Sequence, residues 1–123
     1  MKFLDDYPFE KRLQESERIK NKYPERIPVI INIDNTNTFR KNVPDMEKIK
    51  YLFPSDSPVA SVLVVARKRM KISEATGLFV FIHNENGKDV IPQTNQSMKD
   101  LYNKYKNKDG FLYLIITGEN VFG

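Results

Sequence analysis

The 123-residue sequence predicts an α+β fold with a grasp-like sheet, and three observations carry this prediction. Two continuous apolar runs of strand length, Arg26–Ile33 and Phe111–Thr117, are expected to be buried on both faces of a sheet. A segment with helical spacing lies between a short second strand and a hairpin signal. A hairpin, a crossover helix and a last apolar strand able to lie centrally are typical of this fold class.

The N-terminal half is predicted to contain one main helix and two strands. Residues at helical spacing predict a helix that begins near Phe9 and ends before Pro24, because the residue before a proline is forced out of the α region. The preceding MKFLDDYP segment is compatible with a separate helical turn. After the strand Arg26–Ile33, the short strand Lys50–Phe53 is stopped by Pro54.

The C-terminal half is predicted to contain a helix, a hairpin, a second helix and the last strand. In SDSPVASVLVVARKRM the valines favour a strand, but the apolar spacing is helical, and Ser57-Pro58 supplies an N-cap and a proline at the first helical position. Two apolar runs around Asn86-Gly87 predict a hairpin. Ser97 begins a segment that resembles a capping box followed by a helical stripe.

Composition indicates one soluble domain and excludes several kinds of site. A chain with 40% hydrophobic residues and this length can close a single core. The absence of cysteine excludes disulfides, thiolate metal sites and cysteine nucleophiles. A net charge of +4 falls short of the basic surface that duplex DNA binding needs, so no nucleic-acid partner is expected. Since no apolar leader or spanning segment is present, a cytoplasmic protein is expected.

Residues that carry chemistry are sparse, and the sequence predicts a protein that is not an enzyme. The single histidine, His83, ends an apolar run without a nearby serine and carboxylate arrangement, so a partly exposed structural histidine is expected. The five glycines are too scattered for a phosphate-binding loop. Asp34, Thr36 and Thr38 approach a calcium-loop spacing but lack its glycine and glutamate, so neither metal nor cofactor is expected.

The short second strand allows two interpretations. Tyr51 and Phe53 lie on one side of it, and Lys50 and Leu52 lie on the other. An edge strand with large side chains on both faces can accept a peptide as an added strand. Alternatively, these aromatic residues simply belong to the core, and spacing alone favours that interpretation.

Several stretches together are similar to one family. They are PFEKRLQESERIKNKYPERIPVI, KYLFPSD, RKRM, VIPQT, MKDLYNKYKNKDGFLYL and the closing FG. These stretches cover nearly the whole chain in order and resemble the ubiquitin-like autophagy modifiers, the family of GABARAP and the microtubule-associated light-chain modifiers. The resemblance implies a ubiquitin-like β-grasp with two additional N-terminal helices. It divides the single domain into a helical extension (1–24), a β-grasp core (25–117) and a conjugation tail (118–123).

The resemblance also implies a function. Family members are activated at a C-terminal glycine by an E1-like enzyme, passed to an E2-like cysteine and joined to phosphatidylethanolamine. Gly123 matches the conjugated residue and Phe122 the aromatic before it. A cysteine protease that trims or deconjugates is implied too, and this chain is expected to be a processed form or one ready for conjugation. A monomer is expected, in the cytoplasm and on autophagosome membranes. The alternative is a non-conjugated ubiquitin-fold adaptor that binds motif peptides or the cytoskeleton.

The family binds short motifs of an aromatic residue, two variable residues and an aliphatic one as a strand added to the second strand. The residues that match the aromatic pocket are Glu15, Ile19, Pro28, Lys50, Leu52 and Phe111. The residues that match the aliphatic pocket are Tyr51, Phe53, Pro54, Ser57, Val62 and Val65. Arg26, Lys50 and Arg67 are expected to meet acidic residues that precede the motif.

Several positions depart from the family pattern. Ser57 stands where the family usually has leucine, and Val62 and Val65 replace larger residues, so the aliphatic pocket is expected to be wider or shallower. Gly110 takes the place of an aromatic residue.

Overall fold

A computed structural model describes residues 2–33, 50–70, 76–85 and 87–120 of the chain. These residues form four helices and four strands. In chain order the elements are α1 (Lys2–Asp6), α2 (Phe9–Lys22), β1 (Arg26–Ile33), β2 (Lys50–Pro54), α3 (Ala60–Met70), β3 (Thr76–Ile82), α4 (Met98–Tyr105) and β4 (Leu112–Asn120). The predicted α+β class and the two N-terminal helices are confirmed.

The strands form one mixed sheet in the order β2-β1-β4-β3. The central strands β1 and β4 pair in parallel, with Val29 opposite Leu112, whereas β2 and β3 flank them in antiparallel pairing. The last strand therefore lies centrally, as predicted, because its apolar residues need cover on both faces. The two flanking strands are the edges of the sheet, and β2 is the edge next to α2.

Each face of the sheet carries a separate hydrophobic cluster. Residues of β1 and β4 alternate between the two faces, so that Ile30 and Tyr113 face α2 while their neighbours face α3 and α4. On the α2 face, the fully buried residues are Ile19, Ile30, Phe111 and Tyr113. Phe3, Leu4 and Leu52 pack against this smaller cluster. The predicted burial of β1 on both faces is confirmed over Ile27–Ile31.

The predicted hairpin is only partly formed. The first run forms β3, but the run after Gly87 contributes an isolated bridge in which Val90 pairs with Ile82, and no second strand appears in the described part of this segment. A strand cannot continue there because Pro92 has no N–H group for the ladder.

Two element boundaries also differ from the sequence prediction. Helix α3 begins at Ala60, and the Ser57 hydroxyl donates to the carbonyl of Pro54 (2.6 Å) instead of capping the helix. The first amide groups at this helix end instead donate to carbonyls of the 94–96 loop. Strand β4 runs to Asn120, so 118–120 of the expected tail belong to the strand. The Ser97 cap of α4 is confirmed, since its hydroxyl accepts from the Asp100 amide at 3.1 Å.

Some expectations fall outside the described residues. The calcium-like spacing at Asp34, Thr36 and Thr38 lies in the 34–49 gap, and Phe122 and Gly123 lie after the last described residue. Of the helices that are described, none combines the length and the apolar character that crossing a membrane would require.

Candidate functional site

Strand β2 presents different side chains to its two faces, as the alternation predicted. Tyr51 and Phe53 join the larger cluster with α3, whereas Leu52 packs on the smaller cluster with α2. Phe53 is buried, Tyr51 and Leu52 are half-buried, and Lys50 is exposed. The core interpretation is confirmed for Phe53. Lys50 and Leu52 border a groove, and the interpretation of β2 as a strand that accepts a peptide stays a prediction.

The pairing of β2 with β1 decides which backbone groups remain available at the sheet edge. The Ser55 amide donates to the Glu25 carbonyl at 3.0 Å, so these opposite residues form a hydrogen-bonded pair. Because hydrogen-bonded and non-hydrogen-bonded pairs alternate, Leu52 opposite Pro28 is a non-hydrogen-bonded pair. The backbone N–H and C=O groups of Lys50 and Leu52 consequently point away from β1, toward the outer edge of the four described strands.

A groove of about 540 Å³ lies between α1, α2 and β2. Four of the six residues expected for an aromatic pocket line it, namely Glu15, Ile19, Lys50 and Leu52. The other two, Pro28 and Phe111, are buried beneath it. Phe111 has no exposed surface and therefore supports the groove from below rather than forming its wall.

Helix α1 and Tyr7, which follows it, contribute walls that the family resemblance did not imply. Phe3 and Tyr7 line the groove, and their rings contact each other at 5.1 Å between centroids. The Phe3 ring also packs edge-on against Phe111 at 5.4 Å. The i, i+4 spacing of Phe3 and Tyr7 in the predicted helical turn was the available signal, because such residues share one helix face. Tyr23, after α2, completes the aromatic lining.

The charged groups of the groove are organised around Glu15. Its carboxylate accepts from the Arg18 guanidinium and the Lys50 ammonium, both at 2.7 Å. The hydrogen bond from Arg18, and then the one from Lys50, lower the pKa of Glu15 from its ordinary value of 4.5 to about 2. Glu15 is therefore ionised at neutral pH, and two cations share a single carboxylate.

A buried polar network fixes the loop that carries Phe111. Asp109 is completely buried and pairs with Arg12 at 2.6 Å. The Tyr113 hydroxyl donates to the same carboxylate, and burial followed by this hydrogen bond raises the pKa of the phenol. The Ser16 hydroxyl donates to the Asp109 carbonyl, and the Phe111 amide donates to the Asp109 carboxylate at 2.9 Å. Helix α2 is thus attached to the start of β4 directly behind the groove.

The residues expected for an aliphatic pocket lie on the opposite face of β2. Phe53 and Val62 are buried in the larger cluster, and Tyr51 and Val65 are half-buried against it. Pro54 is exposed, and the hydroxyl of Ser57 is directed to the Pro54 carbonyl. A leucine at this position would present an apolar surface, whereas Ser57 is engaged in the turn after β2.

The three expected charge contacts do not lie together. Lys50 is at the beginning of β2, whereas Arg26 lies opposite Pro54 at its end. Arg67 is half-buried on α3, on the other face of the sheet. The cations that line the groove beside Lys50 are Arg18 and Lys22 of α2.

The sheet order β2-β1-β4-β3 and the two N-terminal helices define a ubiquitin-like protein, and a groove lies beside strand β2. The structure matches Trypanosoma brucei ATG8 with a TM-score of 0.82 at 31% identity, over 100% of this chain and 98% of that chain. It matches Plasmodium falciparum Atg8, in complex with a P. falciparum Atg3 peptide, with a TM-score of 0.76 at 30% identity and 94% of each chain. The expected ubiquitin-like fold is confirmed.

Sequence relatives identify the family. A family model described as "Autophagy protein Atg8 ubiquitin like" matches residues 11–123. The chain is 40% identical over 121 residues to autophagy-related protein 8d of Arabidopsis thaliana, covering 98% of this chain and 93% of the relative. It is 42% identical over 121 residues to autophagy-related protein 8 of Schizosaccharomyces pombe, with the same coverage. The chain belongs to the Atg8 family and is an autophagy ubiquitin-like modifier.

Proposed function

We propose that the chain is conjugated through Gly123 to phosphatidylethanolamine and recruits proteins with aromatic-x-x-aliphatic motifs to autophagosome membranes. The observation that carries the conjugation is the family match, which extends through Gly123. In this reaction the glycine carbonyl carbon forms an amide bond with the ethanolamine nitrogen, and the thiolate of an E2-like enzyme leaves. Glycine suits the role because it has no side chain to obstruct a narrow activating groove. The two acyl chains then give stable membrane attachment.

The motif spacing supports the proposed peptide site. Successive residues of an added strand face opposite sides, so an aromatic residue and an aliphatic residue three positions later point to opposite faces. The groove beside Lys50 and Leu52 and the cluster around Phe53 lie on opposite faces of β2. The outward N–H and C=O groups of Lys50 and Leu52 supply the main-chain hydrogen bonds that strand addition needs.

The positions of the two pockets also set the direction of the peptide. The groove beside Lys50 and Leu52 lies at the beginning of β2, and the expected aliphatic pocket lies at its end, near Pro54. A motif that places its aromatic residue first therefore runs parallel to β2.

The proposed partners follow from the same function. The Plasmodium falciparum Atg8 structure contains an Atg3 peptide. By analogy, we expect an Atg3-like E2 enzyme to bind this chain, together with an E1-like enzyme and a deconjugating cysteine protease. The protein itself needs no catalytic residue for this role.

Reconstitution with E1-like and E2-like enzymes, ATP and phosphatidylethanolamine liposomes tests the conjugation. Intact mass spectrometry is expected to show a gain of one lipid, which Gly123→Ala abolishes while retaining motif-peptide binding. A Gly123→Ala protein that is still conjugated at the full rate would exclude Gly123. No gain, with enzymes active on another modifier, would leave a non-conjugated ubiquitin-fold adaptor.

A further inference from the structure

We infer that a cleft between the 83–85 segment, which follows β3, and the 104–108 segment, at the end of α4, binds a phosphate monoester. The lysines of the second segment and the side-chain amide of Asn107 are its donors. Glu85 lies in the same cleft and competes with the ligand. The inference does not rest on the proposed function, because the cleft lies at the β3 side of the sheet, away from β2.

The cleft lies where β3 ends and β4 begins. The amide of His83 donates to the Tyr113 carbonyl at 2.9 Å, and the amide of Asn107 donates to the Phe111 carbonyl at 2.8 Å. Both segments are thereby attached to the start of β4, and they border a cleft of about 360 Å³. Its polar lining consists of His83, Glu85, Lys104, Lys106, Asn107 and Lys108. This volume is at the lower end of the range for ligand sites and suits a compact ligand.

Asn107 supplies a donor whose direction is fixed by the fold. The residue is only 7% exposed, and its side-chain oxygen accepts from the Asp109 amide at 2.9 Å. The side-chain nitrogen is therefore on the other side and donates to the Glu85 carboxylate at 2.6 Å. Glu85 itself is exposed. Its carboxylate is thus an internal anion on a buried donor, and an external anion can take its place.

The charges of the lining favour an anion. Lys104, Lys106 and Lys108 are all exposed, and within the described part of the chain none of their ammonium groups lies within 4.0 Å of a carboxylate oxygen. Asp89, which does not line the cleft, lies 3.4 Å from Nδ1 of His83. Three lysines therefore share one carboxylate in the lining.

A phosphate monoester matches this excess of donors better than a carboxylate does. At pH 7 it carries a charge of about −1.5 to −2 and three strong acceptor oxygens, whereas a carboxylate carries one charge and two oxygens. Lysine ammonium groups bind phosphate as point charges, so they need no fixed fork geometry.

The position of the cleft indicates a soluble source for the phosphate. Strand β4 has nine residues, so at about 3.3 Å per residue its ends are roughly 26 Å apart. The cleft lies at the start of β4 and the tail follows its end. A membrane attached to the tail would therefore be distant from the cleft, which leaves a phosphoserine side chain or a free phosphate ester as the ligand.

Nuclear magnetic resonance titration of the ¹⁵N-labelled chain at neutral pH and constant ionic strength tests the cleft. The probes are inorganic phosphate, a capped tripeptide with a central phosphoserine, and the same tripeptide without phosphate. The proteins are the unmodified chain, Lys108→Gln, Lys108→Arg and Glu85→Gln. Lys11→Gln and Glu10→Gln are the matched controls, because both residues are exposed on α2, across the sheet from α4, and their replacement changes the net charge equally.

The expected result is a saturable shift of the cleft amides by the two phosphate probes and none by the unphosphorylated peptide. Lys108→Gln weakens binding about two- to fivefold, as for one exposed ion pair, whereas Lys108→Arg and Lys11→Gln retain the parent affinity. Glu85→Gln strengthens binding about two- to fivefold, because the competing charge is lost, and Glu10→Gln has no effect. Tighter binding of the phosphoserine peptide than of inorganic phosphate would assign a protein-borne ligand, and equal binding a free phosphate ester.

Two results would overturn the inference. If no saturable shift occurs at the cleft amides, the lysines only balance the dipole at the C-terminus of α4. Equal affinities for Lys108→Gln and Lys11→Gln, or for Glu85→Gln and Glu10→Gln, would reduce the effect to general charge attraction. Neither result would affect the proposed motif site or the proposed conjugation.

Discussion

Replacement of Gly110 by alanine tests whether the close packing of α2 against the loop before Phe111 is required for stability. Gly110 has φ of +89°, and an added Cβ would lie 3.0 Å from the Ser16 Cβ and closer still to its hydroxyl oxygen. Gly87 provides a matched control, because its φ is also +89° but nothing lies within 4 Å of an added Cβ. The two substitutions therefore share the backbone strain and differ in the steric contact.

The expected losses in the free energy of unfolding follow from the backbone strain and the steric contact. A left-handed conformation costs an alanine about 1–2 kcal/mol, and we expect this loss for Gly87→Ala. Inserting a methyl group into packed structure adds about 1–3 kcal/mol, and we expect that additional loss for Gly110→Ala. The change in unfolded-state entropy is common to both substitutions and cancels in the comparison.

Urea unfolding followed by circular dichroism measures both free energies of unfolding. The double variant Ser16→Ala/Gly110→Ala is expected to lose less stability than the sum of its single variants, because removal of the hydroxyl oxygen relieves the closest contact. Equal losses for Gly87→Ala and Gly110→Ala would show that Ser16 does not confine this loop, and the packing argument would then fail.

Two further predictions concern the groove. Lys50→Ala combined with Leu52→Ala is expected to weaken motif-peptide binding by about 2 kcal/mol or more in a calorimetric titration, since both residues contact the anchor in the proposed complex. Phe79→Ala, at the opposite sheet edge and 46% exposed, is the control, and an equal loss there would place the peptide elsewhere. The lowered pKa of Glu15 predicts stability that is present above pH 4.5 and lost as the pH falls toward about 2. Glu15→Gln should flatten the pH dependence of unfolding in that interval, and an unchanged slope would contradict the assigned partners.

The sequence predicted the elements whose residues carry a strong local signal. Strands β1 and β4 were predictable because continuous apolar runs need burial on both faces. Within the described residues after Gly87 no second hairpin strand forms, because the run there is short and reaches Pro92. The start of α3 was misplaced because Ser57 has a competing acceptor, the Pro54 carbonyl, which local sequence does not reveal.

The part of the candidate site formed by β2 could be predicted from the alternation of its side chains. The part that depends on tertiary packing was harder to predict. Alternation along β2 correctly separated Tyr51 and Phe53 from Lys50 and Leu52. The contribution of Phe3 depends on where α1 lies in space, because a helix of five residues has no intrinsic stability and is held by contact with Phe111 and Tyr113. Family resemblance supplied the expected pocket residues, but it did not distinguish those that line the groove from the buried Pro28 and Phe111.

In the proposed membrane-bound form, the parallel pairing of β1 and β4 fixes the direction of a bound motif relative to the membrane. Strand β2 is antiparallel to β1, so it also runs opposite to β4, whose end leads to the tail. A motif aligned with β2 would therefore direct its N-terminal flank toward the lipid bilayer and its C-terminal flank toward the cytosol. For a receptor captured this way, cargo domains that follow the motif would have free space, whereas domains that precede it would be held near the lipid headgroups.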